Sequence, residues 1–429
     1  MKVQFNKSVL EGGATLVTEQ HPYSMSFSVG FWLNIGSRFE NPKLAGVTHF
    51  LEHLTFKGTK NRSALEIAQS LESYGGDLNA FTSKEHTCFH GLVLKENWKT
   101  ALDVLIDITS NMKFTEKDFK TEKSVVIQEI GMSEDAPDDI IYDYLLEGVY
   151  KDHPLGKPIL GKISTIHHLN EKQVYEYYHS FYHGKNLVIS CAGNLDHKKI
   201  ENFLNQQFKK NKQFKTISSE ALINEKGHER PVFNLIRMVK EKKIEQTHVL
   251  LAIPSSTFTD ELRMEAFIVN SLIGGGMTSK LFQSVREQKG LAYSIQSSLH
   301  TMKDAGFLTV QAACDGKKVQ ELMRVIFKDL KEIKKKGVSK KDVEFYKNQI
   351  KGSVLLGSED IENRMNSLAV NELIFKKSKS VKMIQREIEK INFDSVHEYI
   401  EKYLDMSKLS GILMGPGVEK KSQWWTQFE

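Results

Sequence analysis

Within the segment His49-Phe50-Leu51-Glu52-His53, two imidazoles and a carboxylate fall at positions i, i+4 and i+3 of one expected helix. At about 3.6 residues per turn the three side chains share a face, with the histidines one above the other. A catalytic zinc uses that donor set: two neutral imidazoles as ligands, and beside them a carboxylate able to take a proton from water. Two histidines flanking a glutamate can also be a plain surface cluster. The neighbours argue against that here, because Val47, Phe50, Leu51, Leu54 and Phe56 surround the helix with apolar side chains. Polar groups buried there would be costly without partners, and a metal satisfies all of them at once. Lys57 and Gly58 then read as the helix end.

A second helix is expected over Thr115 to Ser133, opening on Thr115 with Asp118. Lys117, Lys120 and Lys123 fall on one solvated side, and Phe119, Glu122, Val126 and Glu129 on another. Two carboxylates on an apolar face call for a purpose. Glu129 is the natural third ligand, leaving a fourth zinc position for water. Glu122, two turns earlier, is placed to hold a ligand histidine from behind. The alternative is that both pair with lysines on a solvated helix, which Phe119 and Val126 disfavour.

These residues resemble the pitrilysin family of inverted-motif zinc metallopeptidases, and most closely its branch of mitochondrial processing peptidases and short bacterial relatives. The family pattern is H-x-x-E-H with a ligand glutamate some 75 residues on, and Glu129 lies 76 positions after His53. Glu122 occupies the family's further glutamate, seven residues before the ligand. Gly75 to Thr82 (GGDLNAFT) resembles the family's GG-x-x-NA-x-T strand, with Phe81 where many relatives have Tyr. Segments 153–156 (HPLG) and 182–187 (YHGKNL) follow in the expected order, and Arg286 to Tyr293 matches an R-x(6)-Y segment.

The resemblance implies an α+β fold of two homologous domains, each a mainly antiparallel sheet packed with helices, in a clamshell arrangement. It further implies one Zn2+ per chain, held by His49, His53 and Glu129, with Glu52 as the proton acceptor. Asn79, Ala80 and Phe81 would form an edge that pairs with a substrate backbone, an ordinary interior strand being the alternative. Arg286 and Tyr293 would reach the substrate from the inactive half. Otherwise Arg286 pairs with Glu287 and Tyr293 packs in a core. The implied activity is endopeptidase cleavage of peptides or unfolded segments. A non-catalytic assembly subunit or a metal-binding regulator are the alternatives. Short relatives pair, so a homodimer, or a heterodimer with an inactive paralogue, is expected.

Composition adds mainly exclusions. Over 429 residues, 59 Lys and Arg stand against 54 Asp and Glu, and a net +5 gives no case for nucleic-acid binding. The run from Lys331 to Lys341 reads as the solvated face of two helices around Gly337. Cys88, Cys191 and Cys314 are far apart in apolar stretches and read as buried thiols of a reducing compartment. No run approaches the roughly 18 apolar residues of a membrane span, and the first residues carry neither a signal-peptide nor a transit-peptide pattern. A bacterial cytoplasmic protein, without a membrane partner, is the expectation.

The chain also reads as a duplication. Strand-like runs at 26–33 and 186–192 and helical runs at 64–74 and 97–112 alternate in the first part. Thr247 to Ile253 echoes the strand near residue 30, and Glu261 to Leu272 echoes the motif helix. At an offset near 219, Ile268, Ser271 and Leu272 stand opposite His49, Glu52 and His53, so the second half cannot hold the same metal. The expected division is a catalytic domain over 1–212, a linker over 213–230 and an inactive domain over 231–429.

Overall fold

The computed structural model describes residues 3–215 and 225–418. Part of the expected linker, residues 216–224, lies outside the described residues.

The period-two patterns become two sheets. The first contains β1 (Gln4–Val9), β2 (Thr15–Gln20), β3 (Ser26–Leu33), β4 (Asp77–Thr82), β5 (Thr87–Leu94) and β6 (Leu187–Gly193), in the order β1-β2-β6-β3-β5-β4. The second contains β7 (Arg237–Lys240), β8 (Thr247–Pro254), β9 (Ala292–Thr301), β10 (Gly306–Cys314) and β11 (Ser410–Met414), in the order β7-β11-β8-β10-β9. Leaving β1 aside, each sheet places its first, fifth, second, fourth and third strands side by side. In each, the first and fifth strands are parallel and the other neighbours antiparallel. The repeated topology is what a duplication leaves behind, and the α+β, two-sheet expectation holds.

Alternation along the central strands of the first sheet separates two buried faces. Leu16, Phe27, Val29, Phe31, Phe89 and Ile189 join the core that includes the motif helix, Val47–Thr55. Val17, Trp32, Cys88, Val188 and Ala192 point the other way, onto Met365, Leu368, Ala369 and Leu373 of the helix Ile361–Phe375. The contact is close: a Cβ on Gly30 would lie 2.6 Å from Met365 Sδ and 2.5 Å from Trp32 Nε1, so one of those side chains would have to shift.

The compact units are therefore not continuous in sequence. The first takes Leu356–Lys379 from the second half of the chain, and the second takes Met132–Gly156 from the first half. In the second unit Ile141, Leu145 and Val149 of the helix Pro137–Val149 cover Leu250, Ala252, Phe307 and Ile412. Each helix buries part of its surface against a sheet, and in Ile361–Phe375 the buried residues include Arg364, Asn371 and Glu372, so apolar spacing alone marks it poorly. Nor does that spacing say which sheet each covers.

A buried ion pair fixes Ile361–Phe375 on its sheet. Arg364 donates to Glu19 through Nε (3.0 Å) and a terminal guanidinium nitrogen (2.7 Å), with the residues 4% and 1% exposed. Burial works against the Glu19 carboxylate, but hydrogen bonds from His21 and Arg364 outweigh it and hold its pKa below the ordinary value. Arg364→Met would leave the buried Glu19 carboxylate with only the His21 ring as a partner. We expect it to lower stability by about 3–5 kcal/mol, read as a shift in the denaturant midpoint, with Glu19→Gln in the same chain restoring part. A loss below about 1 kcal/mol would mean the pair is solvated in solution.

Two smaller expectations, on the cysteines and on the lysine-rich run around Gly337, are met. Cys88, Cys191 and Cys314 are buried free thiols. Helix Val319–Lys336 ends at Gly337, whose φ is 67°, before Lys340–Gly357 begins. Among the described residues no helix is long and apolar enough to cross a membrane.

Candidate metal centre

The motif helix starts at Gly46, whose φ of 94° suits glycine and which has no side chain to cap the helix. Buried Glu40 supplies the cap from a distance, accepting the N–H groups of Gly46 and Thr48 at 2.8 Å each. Burial pushes the Glu40 carboxyl up to about 7, although those N–H bonds pull the other way. Its ordinary value is 4.5, so this group favours the folded state most below that pH and loses the advantage as pH rises through about 7. In Glu40→Gln the fall in stability across this window should be shallower by up to about one proton. Because an amide offers only one acceptor to two N–H groups, the variant should also lose about 1–3 kcal/mol. Denaturant unfolding at a series of pH values measures both effects. Parallel wild-type and variant pH curves would remove Glu40 from the account.

The helix then places His49 and His53 one turn apart, their ring centroids separated by 4.6 Å. Helix Glu116–Asp135 brings Glu129 to both: its Oε2 lies 3.7 Å from His49 Nε2 and 3.5 Å from His53 Nε2. Ligand atoms about 2.0–2.1 Å from a tetrahedral zinc stand roughly 3.3–3.4 Å from each other, so the three fit one ion. They are the one metal-type cluster among the described residues. Burial, reinforced by the neighbouring His53, lowers the His49 pKa to about 4, which keeps it a neutral imidazole. For His53 burial acts in the same direction but is outweighed by Glu122, Glu129 and Glu52, and its pKa is raised.

Glu122 is 2% exposed and lies 3.2 Å from His53 Nδ1 through Oε2. Its other oxygen meets Lys57 Nζ at 2.7 Å. Burial alone would raise the Glu122 pKa, but His53 and Lys57 bring it below the ordinary value. The bland reading, a solvated carboxylate paired with lysines of its own helix, does not describe it. Lys57 does follow the helix end, whose cap is Phe56, and it is also the counter-charge behind His53. His49 has no such support among the described residues, where its buried Nδ1 finds no hydrogen-bond partner.

Glu52 stands on the same helix but outside the three-donor cluster. Thr82 Oγ1 donates to its Oε2. Burial raises the Glu52 pKa, Thr82 and His53 oppose that, and Glu129 adds to it. Thr82 was visible in sequence only as the last letter of a strand motif.

β4 carries Asn79, Ala80 and Phe81 and is an edge strand, bonded to β5 on one side only. Asn79 and Phe81 face outward, with Phe81 39% exposed although its ring edge rests on Trp32 at 5.5 Å. Arg286 and Tyr293 belong to the second unit. The Arg286 guanidinium lies over the rings of Phe282 (4.7 Å) and Tyr293 (4.9 Å), and its Nε is 3.7 Å from Glu287. Tyr293 is 82% exposed, so it is not a core residue, whereas the Arg286–Glu287 pairing does occur. In the second unit the helix Arg263–Gly274 follows β8 as the motif helix follows β3. Ile268 and Leu272, at positions matching the two histidines, are buried apolar side chains.

Comparison with known proteins identifies the family. Residues 15–162 match the family described as Insulinase (Peptidase family M16), and residues 168–350 match the Peptidase M16 inactive domain. An uncharacterized zinc protease of Bacillus subtilis is 38% identical over 90% of this chain and 92% of its own length. Another, from Streptomyces coelicolor, is 35% identical over 91% of this chain and 85% of its own. Among solved structures, a protease from Helicobacter pylori shares the fold with a TM-score of 0.86 at 20% identity, covering 97% of this chain and 100% of its own. With a relative this similar along nearly its whole length, the chain belongs to peptidase family M16, the insulinase and pitrilysin type.

Proposed function

We propose that this protein is a zinc-dependent endopeptidase of the processing type, cutting peptides or unfolded segments. The observation that carries the reading is the division of labour on one helix face: His49 and His53 converge with Glu129, while Glu52 stays outside the cluster. His49, His53 and Glu129 would hold one zinc ion, which when bound polarises a peptide carbonyl and makes water more acidic. Glu52 takes a proton from the attacking water and passes it to the leaving amine. Glu122 keeps the His53 ring oriented with Nε2 toward Glu129. The open edge of β4 pairs with an extended substrate through its backbone, which needs no particular sequence. Arg286 and the exposed Tyr293 offer donors to substrate oxygens. The active form is a homodimer, or a heterodimer with an inactive paralogue, working in a bacterial cytoplasm.

The test is a quenched fluorescent peptide library incubated with purified protein of known zinc content. Cleavage that a chelator stops and added zinc restores, with folded proteins left intact, is the expected result. Stoichiometric zinc without cleavage of any peptide, alone or after mixing with candidate partner chains, would defeat the peptidase reading.

A further inference from the structure

We propose that Thr82 is the positioning residue for Glu52, an inference that rests on the peptidase reading above. The Thr82 hydroxyl donates to Glu52 Oε2, and Oε1 has no hydrogen bond among the described residues. One carboxylate oxygen is thereby tied down and the other kept for the proton transfer. The donor is built to hold still. A β-branched side chain has few χ1 choices, and Thr82 closes β4 opposite Thr87, whose own hydroxyl is bound to the Ile35 carbonyl at 2.9 Å.

The turn that follows is fixed at several points. Ser83 Oγ donates to the His86 carbonyl at 2.8 Å and accepts the His86 N–H at 3.0 Å. The N–H groups of Ser37 and Arg38 bind the carbonyls of Ser83 (3.2 Å) and Lys84 (3.0 Å). Arg38 and Glu85, both buried, pair at 2.6 Å. The approach leaves no room at Gly36, where a Cβ would sit 2.5 Å from the Lys84 carbonyl oxygen. Such a mount holds a hydroxyl in place better than a free loop could. It also joins two tasks on one strand: β4 offers its open edge to a peptide and orients the carboxylate that serves it.

Thr82→Val keeps the shape and removes the hydroxyl; Thr82→Ser keeps the hydroxyl. For Thr82→Val we expect kcat to fall about ten- to a hundred-fold, the effect of losing a hydrogen bond to a charged group. KM should stay within about twofold, and zinc content and melting temperature should match wild type. Thr82→Ser should recover most of kcat. Crystal structures of the metal-free proteins should show the Glu52 carboxylate in its wild-type orientation with Ser and turned away with Val. Wild-type kcat in Thr82→Val, equal losses in both variants, or one Glu52 orientation throughout would each overturn the proposal. If wild type cuts no peptide, the peptidase reading fails while the crystal structures still decide the role of Thr82.

Discussion

Glu52→Gln is expected to keep full zinc and lose turnover by about two to four orders of magnitude, the usual worth of a placed general base. The amide has nearly the carboxylate's shape and can still accept from Thr82, so the fold and the three-donor cluster should persist. What it cannot do is take a proton from water and return it to the leaving amine. Because Glu52 stands outside the His49–His53–Glu129 cluster, its loss and loss of metal are separable. The measurement is kcat on a cleavable peptide beside zinc per chain for both proteins. Equal zinc with kcat within about tenfold of wild type would remove Glu52 from the chemistry. A chain that bound metal only to regulate or to support an assembly would show no difference at all.

His53→Ala is expected to do the opposite and fail at the metal itself. It removes one of the three proposed zinc donors and also the partner of Glu122, whose buried carboxylate is held between His53 and Lys57. Altering only the supporting group of a ligand typically costs about 10–100-fold in affinity, so loss of the ligand should exceed that. Zinc binding only to the folded state adds stability by mass action. Added zinc should therefore raise the melting temperature of metal-free wild type and leave His53→Ala unmoved. A variant that still gained stability from zinc would place the ion elsewhere.

Part of this was legible in the sequence because it is local. The helix over residues 47–55 and the strand over 26–33 follow from apolar periods that backbone geometry imposes within a few residues. The pairing of His49, Glu52 and His53 follows from helical pitch alone, and Phe119, Glu122, Val126 and Glu129 from the same rule on a second helix. Glu129 was read as a third ligand from its place on an apolar helix face, and its Oε2 lies 3.7 Å and 3.5 Å from the two histidine Nε2 atoms. Thr82, Lys57 and Glu40 were not assigned roles, since each acts across a distance the local pattern does not encode. Thr82 reaches Glu52 over 30 residues and Arg364 reaches Glu19 over 345. Nothing in a helix's own apolar spacing states which sheet it will cover, so the exchange of Leu356–Lys379 and Met132–Gly156 between units stayed hidden.

The sequence by itself determined the donor set, the helices that carry it and the duplication in which one copy lacks it. Those depend on residue type and on periods of two and about 3.6. The tertiary structure decided which polar groups stand behind the donors: Glu122 and Lys57 at His53, Thr82 at Glu52, and Glu40 beneath the whole helix. The reason is physical. A ligand's identity is fixed by the bonds it can make, but its orientation is fixed by whatever the folded chain packs against it.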